Sequence, residues 1–256
     1  MLTAGMLAAC QPTDTATPDP TTPATAAGGG GGGGGSAECG GSADTADGAL
    51  KVITGPIGCP GGVNTFWAQK LGSVWTVPRF IEYHDGDIPP DECGAQSDDP
   101  DDFASNAFYC SLDDTVAYSA EFMASLSEQD TAYPMLVLMH ELGHRVSTLT
   151  SKEGVVSRSE ENQADCLAGV QAKFARDADR LPLSDAVEGI GLFFQLGDSG
   201  GSWFSVGEPN ADPNAHGNPS QRVAAALLGY GKGADTCFKI GKSPTGGISL
   251  SDTIGG

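Results

Sequence analysis

Apolar residues recur at helical spacing over residues 131–149, where Met135, Leu138, Leu142, Val146 and Leu149 fall on one stripe. The pattern predicts a helix with those five side chains as its core face. A second helix is predicted over residues 159–178, a run of helix formers carrying several carboxylates, and a third over residues 183–194. Residues 64–75 read as an earlier helix with Phe66, Trp67 and Leu71 turned inward. Asn218-Pro219-Ser220-Gln221 offers an N-cap, a first-turn proline and a glutamine three residues after the cap, so a last helix should start there and run to Leu228. Residues 79–84 and 115–119, rich in β-branched and aromatic residues, read as short strands, and residues 107–119 carry strand propensity throughout. The fold class is α+β, with no internal repeat.

The stripe leaves His140 and His144 off the core face. Met139-His140-Glu141-Leu142-Gly143-His144 matches the H-E-x-x-H pattern, in which two histidines four residues apart project from one helix face and can share a metal. Glu141 would then serve as general base toward a metal-activated water. A catalytic zinc takes three protein ligands and keeps one position open. Glu161 is the preferred third ligand, because Asp165 lies four residues on, on the same face, and could accept the second ring N–H of a ligand histidine. Glu160 competes for that role but points about 100° away from Glu161. The plain alternatives are an exposed helical turn and a solvated acidic face.

These residues carry a resemblance. His140-Glu141-Leu142-Gly143-His144 and Glu161-Asn162-Gln163-Ala164-Asp165-Cys166-Leu167-Ala168-Gly169 resemble the two metal helices of the bacterial putative neutral zinc metallopeptidases, which are gluzincin-like enzymes. Phe66-Trp67-Ala68-Gln69 resembles that family's opening helix, and Cys93-Gly94 with Ala107-Phe108-Tyr109-Cys110 its cysteine pair before a strand. His216-Gly217 with Gln221-Arg222-Val223 resembles its last helix. The acidic run from Asp98 to Asp102 departs from the family's pattern. The resemblance implies a gluzincin-like domain, a small sheet packed on the H-E-x-x-H helix and a second metal-ligand helix. It also implies that residues 107–119 supply an edge strand on which an extended peptide lies, an ordinary paired strand being the alternative. His216 is expected to donate a hydrogen bond to the oxyanion, as a non-ligand histidine does in such enzymes, unless it only bonds backbone carbonyls at the start of the Asn218 helix.

Composition adds compartment and organisation. The chain has 256 residues, 39% of them apolar, enough for one domain and a tail. Residues 1–10 end in Leu7-Ala8-Ala9-Cys10, which looks like the lipobox of a bacterial lipoprotein signal segment with Cys10 as the lipidated residue. That stretch lacks a basic leading region, which a true start upstream of Met1 would explain; an ordinary apolar N-terminus is the alternative. Residues 11–36, with Thr, Pro and the unbroken glycines from Gly28 to Gly35, read as a flexible tether. Residues 37–256 are left as the domain. The cysteines besides Cys10 are Cys39, Cys59, Cys93, Cys110, Cys166 and Cys237, an even number that suits an oxidising compartment. Cys93 with Cys110 would staple the Asp-rich loop, a pair the resemblance supports. Cys39 with Cys59 is the local choice, and Cys166 is left either for Cys237 or as a buried thiol. The net charge of −20 argues against nucleic acid and anionic surfaces, and fits a solvated acidic face better than selection of a cationic substrate.

Two functions remain. One is a lipid-anchored, extracytoplasmic peptidase of the bacterial cell envelope, holding one Zn2+ per chain through His140, His144 and Glu161 and cleaving a peptide or protein substrate, with the membrane touched only by the N-terminal lipid. The other is a non-catalytic, zinc-stabilised scaffold or binding lipoprotein, which would want a fourth protein ligand. The retained Glu141 favours the enzyme. His84 is expected at a strand end in solvent.

Overall fold

The computed structural model describes residues 39–196 and 218–248. Cys10, the 11–36 tether and His216 therefore lie outside the described residues. The elements run α1 (Ala46–Thr54), α2 (Val63–Leu71), β1 (Arg79–Tyr83), β2 (Ala107–Cys110), β3 (Thr115–Ser119), α3 (Ala120–Ser127), α4 (Tyr133–Leu149), α5 (Ser157–Asp177), α6 (Leu183–Gln195), α7 (Pro219–Lys232) and α8 (Ala234–Gly241). The α+β class holds, built on one three-stranded sheet and a layer of helices. No helix among the described residues is long and apolar enough to cross a membrane.

Most predicted helices recur with shifted ends, each shift having a local cause. The helix expected over residues 64–75 stops at Leu71, because Gly72 adopts φ +60° and the chain tightens into a short 3-10 turn. Pro134 occupies the first turn of α4, where its missing N–H costs nothing. The Asn218 side chain accepts from the Ser220 N–H, as an N-cap should. From there α7 continues past Leu228 to Lys232, since Gly229 and Gly231 do not break a helix packed against its neighbours. The short helices α1, α3 and α8 carried too few turns for periodicity to announce them.

The sheet corrects one expectation. Residues 107–119 do not form one edge strand but a hairpin, turning at Asp113 and Asp114, of which β2 lies at one edge of the sheet and β3 in the middle. β3 is parallel to β1 and antiparallel to β2, with Tyr109 opposite Val116. A turn with Asp114 at φ +56° interrupts the strand, a conformation an aspartate tolerates and a β-branched residue does not. Alternation then sorts the faces: Ala107, Val116 and Tyr118 join the main core, while Tyr83, Ala117, Phe103 and Phe108 pack on the other face.

Helix α5 is the hub, in contact with α2, α4, α6, α7 and α8. Two of its contacts are backbone-close. A Cβ on Gly143 of α4 would meet the Cα and carbonyl oxygen of Ala164 at 2.8 Å, and a Cβ on Gly229 of α7 would meet the Cys166 carbonyl oxygen at 1.7 Å. Disulfides join Cys39 to Cys59, Cys93 to Cys110, and Cys166 on α5 to Cys237 on α8. The last closes a separation of 71 residues, for which loop entropy gives about 4 kcal/mol. Gly143→Ala should lower the denaturation midpoint by an amount equivalent to about 1–3 kcal/mol, with little change of slope, in chemical unfolding followed by circular dichroism.

Candidate metal centre

The close contact of Gly143 with Ala164 sets α4 and α5 face to face at the level of the two histidines. His140 Nε2 lies 3.2 Å from His144 Nε2 and 3.4 Å from Glu161 Oε2, while His144 Nε2 lies 3.4 Å from Glu161 Oε1. Ligands 2.0–2.1 Å from a tetrahedral zinc sit roughly 3.3–3.4 Å from one another, and the two histidine nitrogens and the two Glu161 oxygens, one facing each histidine, stand at separations of that order. Glu161 Oε2 is buried and has no hydrogen-bond partner, an orphan acceptor that a cation would satisfy. Among the described residues, these three form the one group of metal-ligating side chains, with no fourth joining it. The residues fit a zinc ion with an open position.

Each histidine is oriented from behind. His140 Nδ1 faces Asp165 Oδ1 at 2.7 Å, and since a carboxylate only accepts, Nδ1 carries the hydrogen and Nε2 keeps its lone pair for a metal. Asp165 is gripped in turn by Arg222 of α7, whose Nε–H donates to Oδ2 at 2.7 Å and Nη2–H to Oδ1 at 2.9 Å. Glu160 Oε1 stands 3.7 Å from His144 Nδ1, on the side of that ring away from Glu161. Glu141 is buried, and its Oε2 accepts the Tyr109 N–H of β2 at 3.0 Å.

Charge accumulates where these side chains meet. Burial alone would drive protons off His140, but the Asp165 and Glu161 carboxylates outweigh it and raise the ring to about 9. At His144 burial again opposes, and the bonds to Glu160 and Glu161 prevail. Burial would raise Glu161, yet the facing histidines hold it well below the usual carboxylate range. The charges that keep protons on both rings would hold a dication in their place. Burial pushes Glu141 upward against the lowering pull of the histidines, which favours a proton acceptor of the strength a general base needs.

Residues 63–238 match the family described as putative neutral zinc metallopeptidase. The chain belongs to that family. Two relatives, each named uncharacterized protein YpfJ, from Escherichia coli strain K12 and Escherichia coli O6:H1, are 26% identical over 200 residues, covering 69% of this chain and 67% of theirs. No solved structure matches. Membership in the zinc metallopeptidase family makes zinc the metal to expect at the triangle and a peptide or protein the substrate class.

Of the residues singled out in the sequence, His140, His144, Glu161, Glu141 and Asp165 come together at this centre. Glu160, the competing ligand, lies behind His144 instead, because one residue of helix turns its side chain out of the triangle. His84 directly follows β1 with its side chain 68% exposed, paired with Glu121 at 3.0 Å. Arg222 and the Tyr109 N–H were missed. A backbone donor leaves no mark in a sequence, but an arginine beside Val223, Ala224 and Ala225 is a buried charge in want of a carboxylate, a signal that was readable.

Elemental analysis of the purified full chain should find one zinc, nearly abolished in His140→Ala and His144→Ala and weakened in Glu161→Ala. Glu160→Ala should keep its zinc, and Asp165→Asn should cost roughly 10- to 100-fold in affinity.

Proposed function

We propose that the chain is a zinc-dependent peptidase that hydrolyses peptide bonds with Glu141 as general base. The observation that carries this reading is the hydrogen bond from the Tyr109 N–H to Glu141 Oε2. It joins, at one point, the proton acceptor, the sheet edge and the helix bearing two of the three metal-ligating side chains. A zinc ion held by His140, His144 and Glu161 would supply Lewis acidity, polarising water and a peptide carbonyl.

The protein's own groups divide the remaining work. Glu141 accepts a proton from the attacking water and passes it to the leaving amine nitrogen. Its carboxylate is held on one oxygen by the Tyr109 N–H, which limits its rotation. Edge strand β2 would align an extended substrate by main-chain hydrogen bonds. Asp165 and Arg222 keep His140 in the tautomer that presents Nε2. His216 is assigned to the oxyanion, where one such donor elsewhere contributes about 3–4 kcal/mol. The scaffold alternative calls for a closed, four-ligand zinc, and the three-ligand group among the described residues supports the enzyme instead.

We propose further that Cys10 carries a lipid anchor and that the domain works outside the cytoplasm. The lipobox-like Leu7-Ala8-Ala9-Cys10 and the glycine-rich stretch support the anchor, and the three disulfides are consistent with an oxidising compartment.

Glu141→Gln should retain zinc and melting temperature while losing activity against a broad peptide library, because the amide cannot take the proton; activity equal to the parent would remove Glu141 from the mechanism. Cys10→Ala should abolish incorporation of labelled lipid and move the protein out of the detergent phase with its zinc intact. Labelling that survives the substitution would end the lipobox reading.

A further inference from the structure

Helix α4 presents a second functional-looking side chain one turn beyond Glu141. Glu141 and Arg145 are four residues apart and so lie on the same helix face. Both reach the same hairpin. Glu141 takes the backbone N–H of Tyr109 in β2, and Arg145 takes the side chain of Asp114 in the turn between β2 and β3.

A fully buried guanidinium needs compensation for the water it has lost. Arg145 finds it in a fork: Nε–H donates to Asp114 Oδ1 at 2.5 Å and Nη2–H to Oδ2 at 2.6 Å, the two-point geometry that fixes orientation as well as distance. Nη2 also reaches Thr76 Oγ1 at 3.2 Å, and the guanidinium lies 4.2 Å from the Trp75 ring centre. Asp114 passes the constraint on. Its Oδ1 accepts the phenol O–H of Tyr109 at 3.2 Å, the residue whose backbone N–H holds Glu141. Tyr109 is thus fixed at its ring by the Arg145–Asp114 pair and at its backbone by Glu141.

We propose that Arg145 is a positioning residue of this site: through Asp114 and Tyr109 it sets edge strand β2 at the distance from α4 where the Tyr109 N–H orients the Glu141 carboxylate. The inference rests on the peptidase reading for its effect on turnover, but its structural half does not. Arg145 touches none of the three metal-ligating side chains among its described bonds, so losing it should leave the metal triangle whole.

Arg145→Met in the full chain is the informative variant. Asp114 has a side chain 40% exposed, so water can solvate its carboxylate once the arginine is gone, and methionine still packs against Trp75. Asp114→Asn is the poorer choice, since it strips the counter-charge from a fully buried cation. Expected for Arg145→Met are one zinc per chain as in the parent, and amide hydrogen exchange about 10-fold faster over residues 107–110 but not over α5. Turnover should fall roughly 10- to 100-fold, with a much smaller change in KM. Arg145→Lys, which can reach one oxygen of Asp114 but not both, should recover part of the exchange protection and part of the turnover. Unchanged exchange over residues 107–110 in Arg145→Met overturns the proposal whatever the activity. So does full turnover, or exchange raised evenly over the whole domain with a loss of melting temperature that accounts for the lost activity. Should the parent protein cleave no peptide, the peptidase reading fails, and exchange over residues 107–110 decides this inference alone.

Discussion

The absence of one side chain governs the centre of this molecule. Gly143 lets α4 approach α5 until the space a Cβ would occupy is 2.8 Å from the Ala164 backbone. Two histidines on one helix and a glutamate on the other then meet at separations of 3.2–3.4 Å. A wider separation would draw the glutamate away from the histidines and leave a metal ion short of its third ligand. Close helix packing and metal binding are in this sense a single requirement, imposed on the same few residues of sequence.

A concentric arrangement follows from that approach. Glu161, His140 and His144 form the inner ring; Asp165, Glu160 and Arg222 stand behind them and decide which ring nitrogen faces inward. Arg222 reaches Asp165 because Gly229 lets α7 lie as close to α5 as α4 does on the other side. The hub helix is therefore gripped between two glycine contacts. Its carboxylates can be crowded together because Arg222 and the histidines stand within ion-pair range of them, Arg222 bonding Asp165 directly.

How much of this was legible in the sequence depended on the range of the interaction. The histidine pair, Glu141 and the Glu161–Asp165 spacing are local patterns on single helices, and helical periodicity placed them without any knowledge of packing. The choice of Glu161 over Glu160 also needed only the angle between adjacent residues on a helix. What stayed hidden is long range: that Arg222 meets Asp165, that Arg145 meets Asp114, and that a backbone N–H of β2 finds Glu141. The hairpin was read as one strand because the residues from Ala107 to Ser119 have strand propensity on both sides of a four-residue turn. The readable mark of the reversal is Asp113-Asp114, residues that strands avoid and turns favour, with Asp114 taking the left-handed conformation. The short helices escaped for the opposite reason, since two turns are too few to establish a period.

The disulfide between Cys166 and Cys237 makes a covalent ring of everything from the middle of α5 to α8. Arg222 is inside the ring and Asp165 sits one residue outside it. A single backbone cut between residues 166 and 237 would open the ring without dividing the molecule, and α7 would stay leashed to the helix that carries Glu161. Toward proteolysis, that is damage tolerance: one nick leaves the parts of the metal centre joined, and only a second cut or a reductant could carry them apart.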